Sequence, residues 1–242
     1  MAEAAEGSDA AAVPRKRPKV SHQEMVRTGF RIWAERGVQP PLPLGRMGLI
    51  ITGVARGGTS FAASVCHHLG VNLGRGAPRY EDRKLARLLL AGEHERLWNR
   101  VALPRDAVTS HGWKLPALNY HLDAVAENLP DARFIFILRD PVATSLRKQV
   151  SEKTRGDPMQ DTQNIIRAND RMCAFARNAR RPCLLLSYEK GLVSPLDTIR
   201  DVAEFVGREV TANAAEALAE AIQADQQHYR AMAANNAADE GG

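Results

Sequence analysis

Residues 48–70 have the sequence GLIITGVARGGTSFAASVCHHLG. GLIITG is a short apolar run suited to a buried strand, and FAASVCHHL has the apolar pattern of a helix that ends at Gly70. Between them, Gly53 and Gly58 give GVARGGTS the G-x4-G frame of a phosphate-binding loop. Glycines let backbone N–H groups approach phosphate oxygens, and the N-terminal end of the following helix adds partial positive charge. The order of strand, glycine loop and helix therefore predicts a phosphate-binding unit.

The rest of the chain alternates between predicted strands and predicted helices. ARFIFIL (132–138) and PCLLLSY (182–188) are almost wholly apolar and predict buried strands, and HGWKL begins a further short strand before Pro116. This alternation predicts one α/β domain, a three-layer sandwich whose central, mainly parallel sheet has helices on both faces. Helices are predicted between Pro116 and residue 130, from Pro141, and over 83–98, 161–180, 195–206 and 213–232; Ser21 and Glu24 fit a capping box that predicts one more, running toward Gly37.

Both ends of the chain are predicted to be disordered tails. Residues 1–20 lack periodicity and are rich in Ala, Gly, Pro and charge, and residues 235–242 are polar, so the domain is predicted over 21–234. The basic run PRKRPKV (14–20) fits a nuclear-import or nucleic-acid patch, or a solvated tail. We favour the solvated tail, and nucleic acid is not an expected partner.

Composition and charge narrow the class of protein. Hydrophobic residues make up 44% and charged residues 25%, which is typical of a globular domain. The sequence contains no run of 18 apolar residues, so a transmembrane segment is not predicted. It does not begin with an apolar leader, so a secretory signal is not predicted either. The 33 basic and 28 acidic residues give a net charge of +5, which favours anionic ligands. Cys66, Cys173 and Cys183 are widely spaced and predict a reducing compartment, the cytoplasm; no metal-ligand motif is present, so no metal is predicted.

The loop lacks the lysine that a nucleotide triphosphatase requires. Thr59 occupies that position, and Arg56 supplies the only fixed charge within GVARGGTS. A P-loop nucleotide kinase therefore stays an alternative with weak support.

Three segments together resemble the sulfotransferases that use 3′-phosphoadenosine 5′-phosphosulfate (PAPS). The loop VARGGTS (54–60) resembles the family's 5′-phosphosulfate loop, and FILRDPVATS (136–145) resembles its 3′-phosphate motif. LLLSYEKGLVSPLDTIRDVAEFVG (184–207) resembles its strand ending in Tyr-Glu and the helix that follows. The segments occur in the family's order, and the likeness is to its bacterial-type branch. The resemblance implies a P-loop-like fold and PAPS as co-substrate, without a metal.

The resemblance also assigns donor-binding residues. It implies that Arg139 binds the 3′-phosphate and that Tyr188 lies near the adenosine. The family often has a serine eight residues after the arginine, but that position is Arg147 here; either Arg147 or Ser145 would contact the 3′-phosphate. The residues implied to hold the 5′-phosphosulfate are Arg56, Gly57, Gly58, Thr59 and Ser60.

Sulfuryl transfer needs charge stabilisation and a base. Arg56 and Lys114 are the candidates for stabilising charge on the leaving phosphate. Glu81 is the first candidate base by resemblance, with Asp82 beside it as a helix cap, and His111 is an alternative with a suitable ordinary pKa.

The sequence therefore predicts an enzyme that transfers a sulfuryl group from PAPS to a hydroxyl or amine of a carbohydrate, lipid or small molecule. The alternatives are the nucleotide kinase and a catalytically silent module that binds nucleotides or sulfated ligands. The acceptor pocket is predicted in the variable loops at 70–82, 99–112 and 150–162.

Overall fold

The computed structural model describes residues 23–74, 79–152 and 156–239. The predicted N-terminal tail and Ser21 lie outside the described residues. The predicted domain boundary at residue 234 falls within the last helix, which continues to Asp239.

The strands and helices alternate along most of the chain. The strands of the described part are β1 (Gln23–Met25), β2 (Gly29–Ile32), β3 (Met47–Gly53), β4 (Val71–Asn72), β5 (Ser110–Lys114), β6 (Arg133–Leu138) and β7 (Cys183–Ser187). Its helices are α1 (Thr59–His68), α2 (Arg83–Leu90), α3 (His94–Ala102), α4 (Leu122–Asn128), α5 (Pro141–Glu152), α6 (Pro158–Asn178), α7 (Tyr188–Val193), α8 (Pro195–Val206) and α9 (Ala212–Asp239), with a 3₁₀ turn at Pro116–Tyr120.

The strands form one sheet in the order β1-β2-β7-β6-β3-β5-β4. The five strands from β7 to β4 are parallel to one another, and β2 and β1 add antiparallel pairs at one edge. This confirms the predicted α/β class with a mainly parallel sheet. The carboxyl ends of β3, β5, β6 and β7 meet at one edge of the sheet, where α/β proteins place their ligands.

Alternate residues of β3 serve two cores. Leu49 and Ile51 belong to the core on the face covered by α1, α8 and the start of α9. Ile50 belongs to the opposite core, which includes residues of α2, α3, α4 and α6. Because side chains alternate across a strand, the fully buried β3 requires helices on both faces, and the three-layer arrangement follows.

The prediction of a helix from Ser21 toward Gly37 is wrong. Residues 23–25 and 29–32 instead form a hairpin on the edge of β7. Thr28, between the two strands, donates its N–H and its hydroxyl to Asp201 Oδ2 on α8, at 3.0 and 2.6 Å. Gly29 lies so close to β7 that a Cβ there would be 1.8 Å from the Leu185 carbonyl oxygen. These tertiary contacts outweigh the local capping pattern.

The helix predicted over 83–98 is divided into α2 and α3. Gly92 separates them with φ of +70°, a left-handed conformation that ends α2. The other predicted helices and strands occur close to their predicted bounds, and α8 begins at Pro195 as predicted. The exception is the end of the last helix, which was predicted at residue 232, because α9 continues to Asp239.

Gly207 ends α8 with φ of +75°, and the glycine is required there for two reasons. A Cβ would be strained by the positive φ, and it would also lie 2.4 Å from the Pro40 carbonyl oxygen. We expect Gly207→Ala to destabilise the protein by about 2–4 kcal/mol, because backbone strain and a steric clash add. The measurement is urea unfolding at equilibrium.

Gly70→Ala is the matched control for this prediction. Gly70 has φ of +83°, but a Cβ there would meet nothing within 4 Å. Gly70→Ala should therefore lower the free energy of unfolding only by the cost of a left-handed backbone at alanine, about 1–2 kcal/mol. Equal losses in the two variants would contradict the role given to the Pro40 contact.

Candidate active site

The phosphate loop follows β3 and ends at α1. Two of its residues have left-handed backbones: Arg56, with φ of 64°, and Gly58, with φ of 97°. The Gly57 N–H donates to the Val54 carbonyl at 3.0 Å and closes the turn. No described side chain caps the N-terminus of α1, which begins at Thr59, so backbone N–H groups of its first turn remain for a ligand. This end of the helix is suited to an anion.

Lys114 brings a positive charge to this loop from the end of β5. Its side chain is almost wholly buried, and Nζ donates to Ser60 Oγ at 3.3 Å, to the Arg79 carbonyl at 3.0 Å and to Glu81 Oε1 at 2.8 Å. Burial lowers the pKa of Lys114, and the neighbouring Glu81 carboxylate partly opposes that shift. A lysine from a neighbouring strand thus lies against the start of α1, although the loop itself has none.

Arg139 joins the loop from the end of β6. Its NH1 donates to the Arg56 carbonyl at 2.9 Å, and its guanidinium lies 4.8 Å from the centroid of the Tyr188 ring. Arg139 Nε is buried without a hydrogen-bond partner among residues 23–74, 79–152 and 156–239. Tyr188 packs edge-on against Phe61 of α1, with ring centroids 6.0 Å apart. The three sequence segments that carry the resemblance thus converge on one site.

The residues beside Arg139 and Tyr188 join β6 to β7. Glu189 Oε1 accepts the Asp140 N–H at 3.0 Å, and Asp140 in turn caps α5 by accepting the Ala143 N–H at 2.6 Å. Glu189 therefore fastens the two segments together, as a structural residue would.

Ser145 and Arg147 both lie on α5. Ser145 is 1% exposed and donates its hydroxyl to the Pro158 carbonyl at 3.0 Å, which ties α5 to α6. Arg147 is half-buried. Of the two candidates for the 3′-phosphate contact, Arg147 is the one with solvent access in this conformation.

The candidate bases are separated by the fold. Glu81 contacts Lys114, whereas Asp82 accepts the Lys84 and Leu85 N–H groups and caps α2. His111 is 3% exposed and lies three residues before Lys114 on β5, about 10 Å along the strand. Its Nε2 lies 3.0 Å from Asp106 Oδ2. Glu81 is thus brought to the loop, and His111 is not.

Two side chains at the loop were not predicted from the sequence. Asn119 donates through Nδ2 to the Gly53 carbonyl at 3.3 Å, and Thr52 donates its hydroxyl to the Leu115 carbonyl at 3.0 Å. Both attach the 3₁₀ turn to the start of the loop. An asparagine after a Pro-Ala-Leu turn carries no motif, and its role emerges only when β5 pairs with β3.

Two kinds of feature are absent from the part of the chain that the structure describes. It contains no group of three or more His, Cys, Asp or Glu residues able to hold a metal ion. None of its helices is long and apolar enough to cross a membrane.

Comparison with known proteins identifies the family. The family model described as "Sulfotransferase family" matches residues 59–212, more than half of the chain. The protein belongs to the sulfotransferase family, which confirms the resemblance predicted from the sequence. The match begins at Thr59, so the glycines of the phosphate loop precede it. No curated protein matches the sequence.

Solved structures of sulfotransferases are similar to this chain at low sequence identity, and the similarity to the first of them shows a shared fold. Mouse sulfotransferase SULT7A1, complexed with PAP, is 13% identical with a TM-score of 0.50 over 75% of this chain and 66% of that one, just under two thirds of its length. The sulfotransferase domain of the Synechococcus PCC 7002 olefin synthase is 17% identical, with a TM-score of 0.49 over 74% and 79% of the two chains. A sulfotransferase from Alicyclobacillus acidocaldarius is 14% identical, with a TM-score of 0.43 over 78% and 96%.

The buried Lys114–Glu81 ion pair is expected to contribute to the free energy of unfolding. Removing the carboxylate with Glu81→Ala leaves a buried ammonium without its counter-ion, so we expect a loss of about 2–4 kcal/mol in unfolding free energy. Adding Lys114→Met should restore at least half of that loss, because the uncompensated charge is removed. Urea unfolding of the two single variants and the double variant measures the coupling.

The exposed pair of Arg96 and Glu93 serves as the control. Glu93→Gln should change the unfolding free energy by less than about 0.5 kcal/mol, since exposed pairs contribute little. Additive effects of Glu81→Ala and Lys114→Met would show that the buried pair is not coupled.

Proposed function

We propose that this sulfotransferase-family protein is an enzyme that transfers a sulfuryl group from PAPS to a hydroxyl or amine of a carbohydrate, lipid or small-molecule acceptor. The observation that carries the proposal is the convergence of Arg139, Tyr188 and Lys114 on one glycine loop. Lys114 is the last residue of β5, and Arg139 and Tyr188 directly follow β6 and β7.

The donor would lie along this edge of the sheet. Its 5′-phosphosulfate would accept hydrogen bonds from the backbone of Gly57, Gly58, Thr59 and Ser60 at the start of α1. Its 3′-phosphate would bind Arg139, whose buried Nε has no described partner, with help from Arg147 or Ser145. Tyr188 would contact the adenosine. The structure of mouse SULT7A1 with PAP supports this choice of donor, since the two proteins share a fold.

The chain's own cations would stabilise the charge that develops during transfer. The acceptor oxygen attacks sulfur, and the bond between sulfur and the bridging oxygen of the 5′-phosphate breaks. Negative charge then accumulates on that phosphate. Lys114 lies against Ser60 at the start of α1, and Arg56 belongs to the loop itself, so both are placed to stabilise it.

Glu81 is our proposed general base. Its carboxylate is held 2.8 Å from Lys114 Nζ, so the base and the cation lie on the same side of the loop. The proton lost by the acceptor would pass to this carboxylate as the new oxygen–sulfur bond forms. His111 has less support, because it is buried nearer the other end of β5 and pairs with Asp106.

Two wider inferences accompany the proposed activity. Residues 21–234, together with the end of α9, would form the catalytic domain, and the residues on either side would take no part in transfer. Cys66, Cys173 and Cys183 are all free thiols, which supports a reducing compartment, the cytoplasm.

PAP binding is the first test of the donor site. At about 100 times its dissociation constant, PAP should add about 2.7 kcal/mol of stability. For a domain of this size, the melting temperature should rise by roughly 5–10 °C. Arg139→Ala and Arg56→Ala should each abolish most of this rise and most of the sulfuryl transfer from PAPS.

Three controls sharpen this test. Arg46→Ala alters an exposed arginine just before β3, at the opposite edge of the sheet, and should leave the PAP effect unchanged. Arg139→Lys keeps the charge but loses the planar fork, so an intermediate effect is expected. Stabilisation by ATP in place of PAP would favour the kinase. Stabilisation by PAP without transfer to any acceptor would favour the silent module.

The buried lysine gives a prediction about pH. Because burial lowers the pKa of Lys114, its ammonium should lose its proton at a lower pH than an exposed lysine would. PAP affinity should therefore fall as the pH rises through that value. In Lys114→Arg the side chain stays charged, so the alkaline fall should disappear. Calorimetric titration with PAP between about pH 7 and pH 10 measures both curves; parallel curves would refute the role of Lys114.

A further inference from the structure

The turn that follows Lys114 holds an exposed aromatic ring beside the phosphate loop. Asn119 is 4% exposed and donates to the carbonyls of Gly53 and Pro116, at 3.3 and 2.7 Å. These bonds fix the turn against the first residue of the loop. The next residue, Tyr120, nevertheless has 67% of its surface exposed. A rigidly placed, exposed ring next to the reaction site is suited to contact a ligand.

An arginine from α6 stacks on this ring. The guanidinium carbon of Arg171 lies 4.8 Å from the centroid of the Tyr120 ring, and its NH2 donates to Asn119 Oδ1 at 3.2 Å. A guanidinium has five N–H donors. In the described segments, Asn119 is the hydrogen-bond acceptor that Arg171 contacts, and the Arg171 side chain is otherwise exposed. Its remaining donors form a planar fork that matches a carboxylate, sulfate or phosphate.

A second arginine lies on the same face of α6. Arg167 and Arg171 are four residues apart, so their side chains are neighbours on the helix surface. The NH1 of Arg167 donates to Asn164 Oδ1 at 3.4 Å. Because the asparagine amide is uncharged, this bond does not neutralise the arginine. Ile165 and Ala168, on the adjacent face of α6, pack against Val54 of the phosphate loop. This packing places the segment of α6 that carries both arginines beside the phosphate loop.

We propose that Tyr120, Arg171 and Arg167 form an acceptor subsite for a ring compound that carries both a hydroxyl and an oxyanion. The ring stacks on Tyr120, and the carboxylate, sulfate or phosphate binds Arg171 with support from Arg167. The acceptor hydroxyl is then directed toward Lys114, which lies two residues before the turn, and toward its partner Glu81. This inference rests on the proposed sulfuryl transfer, because that reaction makes the space beside the loop an acceptor site.

A purely structural role for Arg171 makes a different prediction. If Arg171 only holds the 3₁₀ turn through Asn119, its loss changes stability and weakens all acceptors equally. A subsite for anions instead distinguishes between acceptors that differ only in the oxyanion.

Two ligands of matched shape provide the test. 6-Hydroxy-2-naphthoate and 2-naphthol share a fused ring and a hydroxyl, and only the first carries a carboxylate. We expect the carboxylate to bind the full-length protein about tenfold more tightly, as one charge-assisted hydrogen-bond pair at an exposed site would give. Isothermal titration calorimetry, with and without PAP, measures both affinities.

Variants on α6 assign the effect. Arg171→Gln should remove the difference between the two ligands, Arg171→Lys should keep part of it, and Tyr120→Ala should weaken both ligands. Arg177→Gln, in the last turn of α6 and distant from Tyr120, is the matched control and should keep the full difference. Circular dichroism checks that each variant is folded. If Arg171→Gln does not fold, Arg171→Lys still tests the proposal.

The outcomes separate this proposal from the donor site. Equal binding of the two ligands, no binding of the carboxylate, or a preference that persists in Arg171→Gln would overturn the subsite. Thermal stabilisation by PAP is measured on the same samples. A protein that binds the carboxylate preferentially but not PAP would keep the anion subsite and reject the proposed donor.

Discussion

Strand β3 pairs in parallel with β5 on one side, where Ile51 lies opposite Lys114, and with β6 on the other, where Gly53 lies opposite Ile137. This register determines how the loop, Lys114 and Arg139 are aligned with one another, because all three lie at or just beyond the carboxyl ends of these strands. A slip of one residue in β5 would turn Lys114 to the other face of the sheet and remove it from Ser60. The burial of all five residues of β5 opposes such a slip, because it would also turn Trp113 out of its apolar core.

The same geometry concentrates positive charge before any ligand binds. Arg56 and Arg79 lie close enough to Lys114 to lower its pKa, in addition to the larger effect of burial. The Glu81 carboxylate offsets part of this repulsion. An anionic ligand at the loop would offset more of it, so the same few side chains would link ligand binding to stability.

The sequence predicted the central fold because its signals there are local. An apolar strand, a glycine loop and a capped helix each leave a pattern within ten or so residues, and β3, α1, β6 and α8 all follow such patterns. The hairpin at 23–32 could not be predicted in this way. Its stability comes from Asp201 on α8 and from close contact with β7, both far along the chain.

The candidate site could be assembled from the sequence to a similar extent. Residues within motifs, such as Arg139 and Tyr188, could be named from the sequence. Asn119 and Arg171 could not, because their partners are set by the pairing of β5 with β3 and by the packing of α6. Ser145 shows the limit of motif spacing: its place in the sequence suggests a phosphate contact, whereas its hydroxyl is bonded to the Pro158 carbonyl.

Gly58 and Tyr188 lie against each other so closely that a Cβ at position 58 would approach the tyrosine ring to 2.3 Å. The loop that would hold one end of the donor and the ring that would hold its adenosine are thus in direct contact, with no space between them. A side chain at position 58 would push Tyr188 away from the place proposed for the adenosine. Because Gly58 also has φ of 97°, a smaller residue at position 188 would relieve that contact but not the backbone strain.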